Sequence, residues 1–421
     1  MQHSKDDTGT DETLNILREL VCINTQVPPG DNYGEAVAYT ESRFRELDLR
    51  TERITMPHDM FLSKNPNLPP EKYYGERVNL LASLDAGADR TMVINTHLDV
   101  VPAGNGWSVA PFEGVVKDGK FYGRGASDSK AGIASLITVL GHIIESGQMP
   151  GYNLLIALTT DEEVGPYSGL CYIADKGVLK GDVFLSMDGS SDDVTIASNG
   201  SINWKLTVHG KSYHSGYSFM GVNAIEKSVP VMNELLSLKS RIERRVSNIR
   251  MSAVAGEKMG ITNMKPVLNI SVISGGVKDN IVPDTCVIIG DRRVTPEEDV
   301  REACREIREA VGRAKEKDPS LKCELACSQI YPPLYTPPEH PWVREVQEAA
   351  DSAFGTAIET SGTQGSLDVA YAAAVAGMPA CAFGIGRRVE SGAHAPDENV
   401  RLEDISMYNR FLRLLLMRRG D

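Results

Sequence analysis

The chain has 421 residues, more than one hydrophobic core normally supports, so two domains are expected. Its composition, 41% hydrophobic and 24% charged, is ordinary for a soluble globular enzyme. A formal charge of −13 leaves no surplus of cations for nucleic-acid phosphates, which excludes broad nucleic-acid binding but still allows a local cationic pocket.

The first twenty residues, MQHSKDDTGTDETLNILREL, hold neither an apolar core segment nor a small-residue cleavage site, so no secretory leader is expected. Residues 14–21 (LNILRELV) have helical spacing behind Asp11 and Thr13, which suit a cap. The Pro-containing stretch 56–72 reads as an elaboration at the N-terminal edge. Residues 92–95, 153–158 and 183–187 are apolar runs that predict buried strands, and 131–145 predicts a helix. Short strands alternating with helices predict an α/β unit with a mixed, mostly parallel sheet covered on both faces.

The pattern then changes. Strands are predicted at 201–208, 267–274, 284–290 and 321–330, with helices at 222–245 and 296–315. That β-α-β-β-α-β order is a split βαβ arrangement. Pro332, Pro333, Pro337 and Pro338 make a stiff return to the first unit. The uncharged stretch 369–386 has the length of a membrane span, but Gly377 and Pro379 interrupt it. A buried helix ending near Gly377 and a short strand at 380–383 are expected there instead, and no membrane association. A last helix is predicted at 406–417. The expected organisation is a discontinuous catalytic domain, residues 1–198 and 333–421, interrupted by an inserted α+β domain, residues 199–332. Seven scattered cysteines, an odd number, point to reduced thiols and a cytoplasmic setting.

Chemistry-bearing residues fall where strands end. His97 and Asp99 follow the strand at 92–95, Glu162 and Glu163 follow 153–158, and Asp188 closes 183–187. In open α/β sheets, sites form beyond the carboxyl ends of strands. Asp128, in the glycine-rich run before the helix at 131–145, and His394, in a small-residue loop after 380–383, complete the set. Each alone reads as a packed, capping or surface residue; the ordered combination does not. Mixed His and carboxylate donors suit zinc, and a shared carboxylate suits a pair of metals.

The segments THLDVVPAG at 96–104, the spacer from Trp107 to Phe112, YGRGASDSKAG at 122–132, TTDEEVG at 159–165 and GAHAPDE at 392–398 carry a resemblance. The chain resembles the metallopeptidase and deacylase family that contains acetylornithine deacetylase, succinyl-diaminopimelate desuccinylase, aminoacylase and glutamate carboxypeptidase. The resemblance implies a two-zinc aminopeptidase-like α/β catalytic domain with an inserted lid and dimerisation domain. It implies that His97, Asp128 and Asp188 hold one zinc and Asp128, Glu163 and His394 the other, with cobalt or manganese as alternatives. Asp99 would orient His97 and Glu162 would be the general base.

In the inserted domain, the family match makes His214 an oxyanion donor, often reaching a partner subunit's site, and implies a homodimer. Arg293, with Asn280 assisting, would hold a substrate carboxylate, with Arg292 as the neighbouring fallback. The implied substrate is a small N-acyl amino acid, or a dipeptide under the alternative of dipeptidase or carboxypeptidase activity. A metal-dependent binding protein without catalysis is the third reading.

Overall fold

Strands Thr91–His97 and Val183–Ser186 are buried almost end to end, which suits the middle of a sheet covered on both faces. A computed structural model, describing residues 8–418 except 67, 166 and 168, places them there. The large sheet runs Arg50–Met56, Arg77–Leu84, Asn153–Thr159, Thr91–His97, Val183–Ser186, Ala380–Ala382, Asp193–Ser198 and Leu334–Tyr335, with Glu359–Thr363 also paired to Asp193–Ser198. Its centre is parallel: Thr91–His97 lies between Asn153–Thr159 and Val183–Ser186, and Ala380–Ala382 continues the set. Antiparallel pairs flank it on both sides. In this register His97 stands beside Thr159 and Asn95 beside Ser186. The three strands therefore release their chains side by side at one end of the sheet.

Helices cover both faces. Thr10–Cys22, Lys130–Glu145, Pro341–Phe354 and Leu402–Leu416 pack with the sheet into one apolar cluster. Gly169–Asp175 and Asp368–Ala376 pack with Phe61 into the cluster on the other face. The helix expected to end near Gly377 does so, with Gly377 in a left-handed conformation at its C-cap. The stretch 56–72 holds the short helix His58–Lys64 and a 3₁₀ turn at Pro70–Lys72.

The second sheet has four antiparallel strands in the order Val267–Gly275, Thr285–Val294, Gly200–His209, Lys322–Tyr331. Helices Ala224–Ile242 and Val300–Lys317 pack on it around Trp204, Leu235, Ile288 and Ile307. Asn223 and Asp299 cap these helices by accepting from two backbone N–H groups each. A further helix, Ala253–Met259, lies outside the expected pattern. It is flanked by Met251 and Met264, which, with Ala255, are buried in the first cluster of the large sheet and not in that of the four-stranded one.

Candidate active site

The parallel strands deliver His97 and the 160–163 loop to one place, and Asp99 joins them. His97 is buried; its Nδ1 lies 2.9 Å from the Asp99 carbonyl oxygen. A carbonyl only accepts, so Nδ1 carries a proton and Nε2 is left facing Asp128 Oδ1, at 2.9 Å. The Asp99 carboxylate stands 3.6 Å from the ring and accepts from the backbone N–H groups of Glu162 and Glu163, at 3.3 and 3.1 Å. It thus ties the end of one strand to the turn after the next.

That turn is a 3₁₀ segment, Glu162–Val164, entered through Asp161 in a left-handed conformation, φ 67°. Asp161 is fully buried and fixed by Arg77 Nη1 at 3.1 Å and by the Tyr33 hydroxyl, which donates at 3.0 Å. The two glutamate side chains separate, Glu163 Oε1 meeting His394 Nε2 at 2.9 Å.

Asp128 sits between two imidazoles, Oδ1 toward His97 and Oδ2 toward His394 at 3.1 Å. One oxygen toward each His is the arrangement a bridging carboxylate needs. Its loop is organised by Glu398, whose buried carboxylate accepts from Arg124 Nη1 (2.6 Å), Gly125 N (3.0 Å), Ser127 N (2.9 Å), Ser127 Oγ (3.0 Å) and Asp128 N (3.1 Å). Gly125 has φ +85°, and a Cβ there would meet Val100 Cγ1 at 2.8 Å, so the turn requires glycine. Arg124 is buried and engaged by Glu398, leaving the Gly-Arg-Gly run with a structural task.

Ligand atoms of His97, Asp128 and Glu163 all lie within 4.8 Å of one another, as do those of His97, Glu162 and Asp188. Asp188 thus comes to the His97 side and His394 to the Asp128–Glu163 side. Imidazole nitrogens and several carboxylate oxygens in so small a volume fit divalent cations. The electrostatics agree. Burial, then the charge of Asp188, pushes Glu162 well above the usual carboxylate range, and burial, then Asp128, pushes Asp188 up to about 7. Burial also disfavours ionised Asp128, but hydrogen bonds from His394 and His97 hold its pKa below the ordinary value. His394 is pushed up to about 10 by its hydrogen bonds to Asp128 and Glu163. The four carboxylates of Asp128, Glu162, Glu163 and Asp188 outnumber the two imidazoles beside them, a surplus of negative charge that suits cations.

Beyond Glu162 and Glu163 opens a cavity of about 380 Å³ whose far wall carries Arg293, Ser201, Asn203 and Ser366. Arg293 donates to Ser366 Oγ at 2.8 Å and Asp291 Oδ2 at 3.1 Å. Strand alternation turns Arg292 the other way, fully buried, where it pairs with Glu298 at 2.7 Å. His214 and Asn280 lie on adjoining loops, Ser215 N donating to the Asn280 carbonyl at 2.9 Å, and His214 is exposed. Neither lines the Arg293 cavity. Glu398, Arg77, Tyr33 and Asp161 escaped the sequence reading as positioning residues. Glu398, inside GAHAPDE, and Asp161, inside TTDEEVG, carried a local signal; Arg77 and Tyr33 did not.

An uncharacterized metallohydrolase of Methanocaldococcus jannaschii is 27% identical over 416 residues, 94% of this chain and 96% of that protein. The succinyl-diaminopimelate desuccinylase of Wolinella succinogenes is 29% identical over 349 residues, covering 79% and 86%. An M20 family metallo-carboxypeptidase from Sulfolobus solfataricus shares the fold, with a TM-score of 0.73 at 18% identity over 97% of this chain and 99% of that one. The model of peptidase family M20/M25/M40 matches residues 93–418, and the chain belongs to that family, as a metallohydrolase acting on amide bonds.

Proposed function

We propose that the chain hydrolyses the amide bond of an N-acyl amino acid between a catalytic domain, residues 1–198 and 333–421, and a lid, residues 199–332. The supporting observation is one cavity that joins Glu162 and Glu163 to the guanidinium of Arg293. A guanidinium there would bind a substrate carboxylate while Glu162 and Glu163 do the chemistry. Two zinc ions (or cobalt or manganese), one held by His97, Asp128 and Asp188 and the other by Asp128, Glu163 and His394, would polarise the scissile carbonyl and acidify water. Glu162 is the base: lining the cavity beside the metal donors, it takes a proton from water and returns it to the amine as the C–N bond breaks. Asp99 keeps that glutamate in place through its backbone. Arg293 orients the substrate carboxylate in its own chain's cavity, while Asn280, on the loop beside His214, would assist from a second protomer.

His214, exposed and outside the cavity of its own chain, serves as the oxyanion donor of a second protomer. A homodimer through the lid is supported by its open strand edge and apolar surface. Val272 is 48% exposed, Ile273 53%, Phe219 79% and Val277 90% on that side; such a surface suits burial against a copy of itself. A cytoplasmic setting agrees with the seven cysteines, none of them in a disulfide.

Arg293 would serve the terminal carboxylate of a dipeptide equally well, so the deciding experiment compares both substrate classes. Metal-loaded enzyme is offered N-acetyl and N-succinyl amino acids and simple dipeptides, with products followed by mass spectrometry. Faster turnover of acyl amino acids is expected. Turnover confined to dipeptides would move the assignment to dipeptidase, and binding with no hydrolysis would make the chain a binding protein.

A further inference from the structure

The metal-donor cluster opens on two sides. One is the Arg293 cavity. The other, about 450 Å³, reaches Asp128 and Asp188 and is walled by Ala255, Lys258 and Met259 of helix Ala253–Met259, with Arg387 and Arg388 opposite. The charges on these walls are not equivalent. Arg388 is held by Asp193 at 2.7 Å, and Arg387 by Asp404 at 2.7 Å and Asp192 at 3.1 Å, so both arginines are neutralised in place. Lys258 is exposed and, among the described residues, has no carboxylate partner. Its neighbour Met259 is 56% exposed and supplies apolar surface beside the ammonium. The wall thus sets the apolar surface of Met259 beside an ammonium that, among the described residues, has no carboxylate partner.

We infer that this second cavity receives the acyl half of the substrate, and that Lys258 selects an acyl group ending in a second carboxylate. The inference rests on the proposed amide hydrolysis, which orients the substrate. Glu162 returns a proton to the amine and lines the Arg293 cavity, so the amine half lies on that side. The acyl half then extends past Asp128 and Asp188 toward Lys258. The terminal carboxylate can belong to a dicarboxylic half-amide or to the side chain of an acidic residue in a dipeptide; the chemistry read by the ammonium is the same.

The test uses matched pairs on one amino acid: N-succinyl against N-butanoyl, and glutamyl against glutaminyl. Wild type, Lys258→Met and Lys258→Arg are compared by the ratio of kcat/KM within each pair. Wild type is expected to favour the carboxylate-ended member, Lys258→Met to lower that preference by about tenfold, and Lys258→Arg to keep most of it. A preference in only one pair identifies which source of carboxylate the enzyme uses. Calorimetry of succinamic acid against butanamide gives a readout independent of turnover: only the acid should bind, and Lys258→Met should lose it. A ratio unchanged in Lys258→Met, or a wild type favouring the neutral members, overturns the inference. Absence of turnover for every substrate overturns the proposed function instead, while calorimetry still judges Lys258.

Discussion

Replacing Glu398 with Gln tests how the loop that carries Asp128 is held. The side chain is fully buried; Oε2 accepts from Arg124 and Gly125, and Oε1 from both Ser127 donors and Asp128 N. Glutamine keeps the shape, but its NH₂ must point at one of these donor groups, and the buried Arg124 loses its counter-charge. Removing one partner of a buried ion pair costs roughly 3–5 kcal/mol. Urea unfolding of metal-free protein should show that loss. Arg124→Met and the double variant close a cycle with a coupling of roughly 1–3 kcal/mol. Zinc affinity should fall too, because the same carboxylate anchors the Asp128 backbone. A loss below about 1 kcal/mol would refute the reasoning. It would mean that Glu398 holds a proton in the folded chain, the direction in which burial, then the charge of Asp128, pushes it.

Glu162→Gln should lower kcat by roughly 10²–10⁴-fold while leaving bound metal, measured by emission spectrometry, unchanged; metal loss in step with activity would make Glu162 a ligand instead. Chelation should abolish turnover and lower the melting temperature, and zinc at a hundredfold excess over its Kd should restore about 2.7 kcal/mol of stability. Full activity after thorough dialysis against chelator would count against the metal centre. The double variant Phe219→Asp, Val277→Asp should run as a monomer by light scattering and lose activity, since His214 would no longer reach a second site. A monomeric wild type would remove that role from His214.

The sequence exposed the site well because its donors are tied to strand ends. Apolar runs at 92–95, 153–158 and 183–187 could be read locally, and parallel pairing then brings His97, Glu162 and Asp188 together. The β-α-β-β-α-β segment was equally plain, as its strands and helices differ in period. Residues that act across the fold were not legible. Arg77 meets Asp161 from a strand not picked out in the sequence, and Glu398 meets Arg124 across 274 positions. Asp99 was expected to act on His97 by its carboxylate; the backbone carbonyl makes the closer contact, a choice set by the turn at Glu162. Helix Ala253–Met259 was missed because seven residues give too few turns for a periodic signal.

That helix has a mechanical consequence. It is encoded between two elements of the four-stranded unit, yet Met251, Ala255 and Met264 fasten it to the body of the large sheet, and Met264 is seated so closely on Gly362 that a Cβ there would lie 2.2 Å from its sulfur. A swing of the four-stranded unit that broke the Arg293–Ser366 contact would move Arg293 relative to the metal donors, with Lys258 held near them by this rivet. One end of the substrate would be gripped by a jaw, and the other would rest against an anvil.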